Sequence, residues 1–387
     1  MTDAPSHVQQ NVDFPESEFA ARLEKAQAAM QATELDALLL SNEPDVRYFS
    51  GFRTQFWQSP TRPWFLIVPA KGKPIAVIPE IGAPLMRTTW IEDIRSFPSP
   101  HATDDGVSLL ANALEGLSLI GLPMGRESLL RMPLRDYDRL RAKLHKADFV
   151  DVTPLLRTLR QVKSPAEIEQ IRHICDIASK SFGNAPQLFR EGQTLKEAFR
   201  AFRLELLTRG ADDVPYLVGG AGPDGYSDVI SPPSDQRLKD GDILMLDTGA
   251  SLNGYFCDFD RNFAIGTASD TAKEAYRTLY RATEAGLKAA RPGITCAQLF
   301  QVMLAELGAQ GGNVGRFGHG LGMQLTESPS LIDFDQTVLE TGMVLTLEPS
   351  IQVTEETLMV QEENILITEG APELLSHRAP DELPILT

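Results

Sequence analysis

The sequence is short of the residues that several functional classes require. Its 387 residues include only three cysteines, Cys175, Cys257 and Cys296, and no two of them form a CxxC. Neither a disulfide framework nor a zinc knuckle fits that usage. Positive charge is also scarce, with 36 Lys and Arg against 53 Asp and Glu, a net charge of −17. Nucleic acids and anionic membranes are gripped by clustered cations, so the charge argues against binding to either. No apolar run approaches the ~18 residues of a membrane span. The start, MTDAPSHVQQNVDF, lacks a basic-then-apolar signal. A cytoplasmic protein is the expectation. No GxGxxG or GxxxxGK[ST] follows a strand-like stretch, which leaves a nucleotide fold unsupported.

What is present suits a large soluble globular chain, with 42% hydrophobic and 23% charged residues. Its length predicts roughly two to three domains. Residues 1–14 read as a loose arm, and Phe19, Leu23, Ala26 and Met30 mark an amphipathic helix. Short buried strands follow at 36–41, 64–68, 74–78, 91–95 and 117–121, with helices near 82–88 and 134–144. That alternation predicts an α/β domain over 1–157. The boundary falls within Arg157–Lys163, because Ser164-Pro165-Ala166-Glu167 is a helix start with a capping box. In the helix that follows, His173 falls off the apolar stripe and reads as solvated. The second domain, 158–387, continues with a helix near 195–208 and a Gly, Pro, Asp and Ser-rich loop over 211–240. Helices near 271–290 and 296–310 and strands near 343–348 and 358–368 complete it.

The most informative stretch is GDILMLDTGASLNGYFCDFDRNFAIGT, from Gly241 to Thr267. It reads as a hairpin whose first strand carries Asp247 and whose second carries Asp258 and Asp260. A tip at Leu252-Asn253 sets Asp247 opposite Asp258, whereas a tip at Asn253-Gly254 sets it opposite Asp260. Either pairing places like charges across a ladder among apolar neighbours, and a divalent cation relieves that repulsion. Further candidates lie downstream. Gly318-His319-Gly320-Leu321-Gly322 sets an imidazole among glycines, and Glu348 ends the strand-like VLTLE before Pro349. In LMVQEENILIT, strand alternation puts Glu362 on an apolar face with Leu358, Val360, Asn364 and Leu366. Glu363 shares its face with Gln361 and is the less demanding of the two. Together these residues offer four carboxylates and one imidazole, a set suited to two divalent ions such as Mn²⁺, Co²⁺, Fe²⁺ or Zn²⁺.

The order D(x10)D, GHGLG, LEPS and a final Glu resembles the pita-bread metalloenzymes, which include methionine aminopeptidase, Xaa-Pro aminopeptidase, prolidase and creatinase. With the preceding α/β domain and the linker RQVKSPAEIEQIR, the likeness extends to the two-domain prolidase and creatinase branch. It implies a creatinase-like α/β N-terminal domain and an α+β pita-bread catalytic domain. It implies Asp247, Asp258, His319, Glu348 and Glu362 as metal ligands, with Asp258 and Glu362 bridging two ions, of which Mn²⁺ is favoured. It also makes Asp258, not Asp260, the second aspartate, and so resolves the register in that direction. A water activated by the ions would be the nucleophile and Glu348 its proton shuttle.

Three positions depart from the peptidase pattern. Ile230 stands where a histidine is usual, with Tyr226, Ser227 and Asp228 as the nearest polar groups. Thr326 replaces the histidine of an HExP sequence, and Val360 replaces an arginine. A threonine donates one hydrogen bond but carries no proton near neutral pH. In the N-terminal domain, the stretch from Ser50 to Trp64 resembles the place where creatinase supplies a substrate-binding arginine across a dimer interface. Arg62 matches, Arg53 is the runner-up, and Trp57 could stack on substrate. The expectation is a homodimeric, dinuclear metal-dependent hydrolase of a small amide or Xaa-Pro-like dipeptide. The alternatives are a non-peptidase relative, either an ectoine-hydrolase-like or other osmolyte enzyme or a dimethylsulfoniopropionate-lyase-like one, and a silent binding scaffold.

Overall fold

The computed structural model describes residues 14–60, 62–308 and 315–387, so most of the expected N-terminal arm and the end of the 296–310 helix lie outside it. The chain divides between Leu159 and Arg160 into two compact units. The first is built on a mixed sheet of six strands: β1 (Ala37–Leu40), β2 (Phe65–Pro69), β3 (Ile75–Pro79), β4 (Asp93–Phe97), β5 (Leu119–Leu122) and β6 (Asp148–Asp151). Their order is β4-β3-β2-β1-β5-β6. Leu38, Leu39 and Leu40 are all fully buried, so this central strand is covered on both faces. Helices Val107–Ala113 and Leu134–Lys143 pack Leu110 and Leu140 against Leu39, Ile67 and Val77.

A helix at Glu43–Ser50 was not anticipated from periodicity. Eight residues give too few turns for a stripe. Its signals are local: the Asn42 side chain accepts the Asp45 N–H at 2.9 Å, and Gly51 closes the helix at φ +71°.

The second unit holds three sheets. The first joins β7 (Asp213–Pro223), β8 (Asp242–Leu252), β10 (Phe259–Ile265) and β18 (Ile385–Leu386), with the short β9 (Tyr255–Phe256) paired to the tip of β8. The second runs β12-β11-β13-β16-β17, with β11 at His319–Gly320, β12 at Glu327–Ser330, β13 at Val344–Leu347, β16 at Glu363–Leu366 and β17 at Glu373–Leu374. The third pairs β14 (Ser350–Gln352) with β15 (Leu358–Val360). Helices Asp270–Ala289 and Cys296–Leu307 pack Leu279, Leu299 and Met303 into one core with Ile243 and Met245 of β8 and with Leu345, Leu347 and Ile365 of the second sheet. On the other side, Phe182 of helix Pro165–Gly183 meets Phe259 and Phe263 of β10, and Phe202 of helix Leu195–Thr208 packs on Phe182. Capping boxes start both of those helices, at Ser164 with Glu167 and at Thr194 with Glu197.

Two expectations are corrected. The 211–240 region is not all loop, since β7 is an eleven-residue strand beside β8. Its glycines allow that pairing, because a β-carbon on Gly219, held at φ +141°, would land on the Met245 carbonyl. The 358–368 stretch is not one strand either. It breaks at Gln361-Glu362 and passes from the third sheet to the second. The face assignment made from unbroken alternation therefore fails for Glu363, which is fully buried and paired with Arg261 at 2.9 Å and Arg378 at 3.0 Å.

Candidate metal centre

Four of the five candidate ligands, all but Asp247, sit where strands end or are interrupted, so their side chains escape the ladder pattern. Asp247 lies in β8, Asp258 between β9 and β10, and His319 on the two-residue β11. Glu348 follows β13, and Glu362 occupies the break between β15 and β16. Ligand atoms of Asp258, His319 and Glu362 all come within 4.8 Å of one another, and all three residues are buried. The hairpin register is the Asn253-Gly254 one, with Asp247 facing Asp260 across the ladder. The register chosen from the sequence is thus corrected, while Asp258 is still the aspartate that joins the cluster. The Cys257 N–H still donates to the Ala250 carbonyl at 3.0 Å, but at Asp258 the amide of Asn364 takes over: its Oδ1 accepts the Asp258 N–H at 2.9 Å and its Nδ2 donates to the Asp258 carbonyl.

Hydrogen bonding in the cluster leaves lone pairs pointing inward. His319 Nδ1 lies 2.8 Å from the Gly320 carbonyl, which assigns its proton to that nitrogen and leaves Nε2 as an acceptor. Nε2 faces Asp258 Oδ2 at 3.3 Å. Burial lowers the imidazole pKa, so a neutral nitrogen turns its lone pair toward the Asp258 carboxyl. Asp247 Oδ1 and Glu362 Oε1 are also buried without a hydrogen-bond partner. Burial, followed by the charges of Asp258 and Glu348, raises the Asp247 carboxyl well above its ordinary range, against the Tyr216 hydroxyl. Burial likewise raises Asp258, against Arg316, and raises Glu362 together with Asp258, Glu348 and Asp247. Glu348 is pushed up to about 7 by burial, with His319 and Arg316 opposing and Asp258 reinforcing. Buried oxygens that lack donors and repel one another fit divalent cations.

Comparison with known proteins agrees with this chemistry. Residues 169–369, more than half of the chain, match the model for metallopeptidase family M24, and residues 22–162 match the creatinase/prolidase N-terminal domain. The chain belongs to metallopeptidase family M24. An Xaa-Pro dipeptidase of Pyrococcus horikoshii is 27% identical over 352 residues, covering 90% of this chain and 94% of that one. A probable dipeptidase PepE of Mycobacterium bovis is 28% identical over 347 residues, covering 87% and 89%. Among solved structures, dipeptidase PepE from Mycobacterium ulcerans superposes with a TM-score of 0.83 at 27% identity, covering 96% and 99%. The P. horikoshii prolidase gives 0.81 at 25% identity, covering 94% and 100%. The architecture is therefore the two-domain one, a creatinase-like N-terminal domain followed by an M24 pita-bread domain.

Beyond the ligand set, other residues of this M24 site have roles that the sequence did not assign. Asp260 accepts the Glu362 N–H at 2.6 Å and the Asn262 amide at 3.0 Å, so it orients a cluster member from the next strand. Tyr216 stands half-buried on β7 beside Asp247. Arg316, three residues before His319, reaches Thr326 Oγ1 at 3.5 Å. A lone arginine or tyrosine carries no spacing signal, which is why neither was visible in one sequence. All three cysteines are buried and form no disulfide, and Cys175 Sγ donates at 3.3 Å to the Asn364 Oδ1 that also receives the Asp258 N–H.

The departures from the peptidase pattern are structural facts here. Ile230 is 73% exposed on a turn whose two N–H groups donate to Asp228. Tyr226 is buried, and its hydroxyl accepts the Val360 N–H at 2.6 Å. Neither Asp228 nor Tyr226 is thus free to stand in for a missing imidazole. Thr326 is half-buried at the start of β12, next to Glu327. In the N-terminal unit, Trp57 is 8% exposed, edge-on to Phe52 and Trp64, and Arg131 lies 5.4 Å over its ring. Arg62 has φ +60°, covers the Phe56 ring at 5.2 Å, and leaves its Nε buried without a partner.

Proposed function

We propose that this M24 protein is a metal-dependent dipeptidase that cleaves Xaa-Pro-like dipeptides. The observation that carries the reading is the buried set of Asp258, His319 and Glu362, with unpartnered oxygens on Glu362 and on neighbouring Asp247. The dipeptidase names of relatives that span nearly the whole chain support the substrate class. They favour neither a non-peptidase osmolyte enzyme or lyase nor a silent scaffold. Asp247, Asp258, His319, Glu348 and Glu362 would hold two divalent ions, Mn²⁺ being the favoured pair, and the ions would supply Lewis acidity and a lowered water pKa. Glu348, half-buried at the end of β13, takes the proton of the attacking water and returns it to the leaving amine. Asp260 and Asn364 hold Glu362 and Asp258 in place by their backbones, which keeps the reacting geometry fixed without solvent. Thr326 offers one hydroxyl to the scissile carbonyl where related peptidases use an imidazole. We place the enzyme in the cytoplasm as a homodimer, with Arg62 as the residue contributed to a neighbouring site. Among the described residues, no helix is long and apolar enough to cross a membrane.

Purified protein reconstituted with Mn²⁺ tests the reading. Metal analysis should find at least one equivalent bound, and several Xaa-Pro dipeptides should be turned over. Silence on dipeptides with turnover of ectoine, creatine or sulfonium compounds would replace it with the osmolyte alternative. Less than one equivalent of metal would remove the metalloenzyme altogether.

A further inference from the structure

We infer that Arg316 is the receptor for the substrate's carboxylate, an assignment that rests on the dipeptidase reading above. Its segment is pinned to the site: the Phe317 carbonyl accepts the Glu348 N–H at 2.9 Å, and the next glycine's carbonyl accepts the Leu331 N–H at 2.8 Å. Arg316 therefore stands half-buried beside the strand end that carries Glu348. Among the described residues its guanidinium makes no ion pair, and it donates to Thr326 Oγ1 at 3.5 Å, the outer limit of a hydrogen bond. Most of its donor fork is uncommitted. The other cations buried in this unit are engaged: Arg160 and Lys163 hold Glu327, while Arg261 and Arg378 hold Glu363.

The position of the charge matters as much as its freedom. The Arg316 charge acts on Asp258, Glu348 and His319, and its segment is bonded to the strand end that carries Glu348. A dipeptide brings a carboxylate two bonds from the amide nitrogen that is to leave. Placed near four acidic side chains, that carboxylate would be repelled unless a fixed cation received it. Arginine is never deprotonated and presents a planar fork that matches a carboxylate in two hydrogen bonds. Thr326 then acts as a positioning residue, steadying the guanidinium with its hydroxyl.

The assignment predicts discrimination between a dipeptide and its C-terminal amide, read on the full-length, Mn²⁺-loaded protein. Loss of a charged hydrogen-bonded partner should raise KM for the free acid about ten- to a hundredfold in Arg316→Gln, with kcat changed far less. The amide's kinetics should barely move, and Arg316→Lys should recover part of the acid's affinity. Bound metal should be unchanged in both variants. A second readout is binding of L-proline and L-prolinamide, followed by calorimetry. The acid should bind the wild type more tightly, and Arg316→Gln should erase the difference. Turnover of dipeptides with an acid-to-amide ratio unaffected by Arg316→Gln would overturn the assignment and leave the dipeptidase reading standing. Acid-selective binding lost in Arg316→Gln, without dipeptide turnover, would keep the receptor and remove the dipeptidase.

Discussion

Asp260 accepts the backbone N–H of Glu362 at 2.6 Å, a bond between residues 102 positions apart that ties the hairpin sheet to the break between β15 and β16. The aspartate that faces Asp247 across the ladder is therefore the one that orients the site, and Asp258, in the gap beside it, is the one that enters it. Asp258→Asn should abolish tight metal binding and activity, because an amide supplies neither the charge nor the second oxygen. Asp260→Asn should retain metal, since its remaining oxygen can still accept the Glu362 N–H, and should lose about 1–3 kcal/mol of stability from the disturbed pairing with Asn262. Metal stoichiometry of the two variants decides the matter; equal loss would place Asp260 among the ligands.

Glu327 is the second buried anion whose role is positional. Burial raises its proton affinity, but Arg160 and Lys163 outweigh that and hold the pKa at about 2. Because the folded value lies below the ordinary 4.5, the pair's contribution is complete above about pH 4.5 and fades as pH falls toward 2. Glu327→Gln removes the negative charge that two buried cations share and should destabilise the protein by roughly 3–5 kcal/mol at neutral pH. That gap should narrow in denaturant titrations carried from pH 5 down toward pH 3. A gap independent of pH would mean that the lost contribution is packing, not charge.

These two carboxylates show what one sequence can carry. Asp247, Asp258, Glu348 and Glu362 were legible because ionisable groups sat in apolar strand-like runs, where a lone charge needs a partner. Their spacing also carried the family resemblance, and with it the two-domain architecture. The hairpin register was ambiguous because a one-residue shift of the tip sets either aspartate opposite Asp247, and the geometry takes the Asn253-Gly254 tip, the dipeptide that two-residue hairpin turns favour. The sequence raised Asp260 only as the rival of Asp258, and gave Asn364 no role, since what each does appears only when segments a hundred positions apart meet. Glu363 was misjudged because alternation was extended across a break that no local residue announces.

Strand β7 was invisible for a related reason. Glycine weakens any strand signal, yet close approach of two backbones requires it. Gly219→Ala would drive a β-carbon into the Met245 carbonyl from a φ of +141°, and should cost about 3 kcal/mol or more, the upper end for single substitutions. At Gly220 the nearest atom to an added β-carbon is 3.1 Å away, the Asp228 carbonyl oxygen, and a shift of a few tenths of an ångström accommodates it. Gly220→Ala should therefore cost about 1 kcal/mol. Equilibrium unfolding of the pair tests the pairing of β7 with β8, and equal effects would show that neither glycine is set by it.

Metal removal should reverse the usual dependence of stability on pH. In the cluster, burial and mutual repulsion raise Asp247, Asp258 and Glu362 above their ordinary values, and Glu348 reaches about 7. A carboxyl whose folded pKa is raised binds more protons when folded, so its stabilising protonation is complete below the unfolded value and is lost as pH rises through the folded one. Metal-stripped protein should accordingly melt at a lower temperature at about pH 8 than at about pH 5.5, a window above the range in which Glu327 titrates. Cations bind the ionised form and displace those protons, so Mn²⁺-loaded protein should show the larger gain in melting temperature at the higher pH. Calorimetry in buffers of different ionisation enthalpy should register the protons released. A stripped protein that becomes more stable between pH 5.5 and pH 8 would mean that the four carboxylates are not held close enough to share a cation.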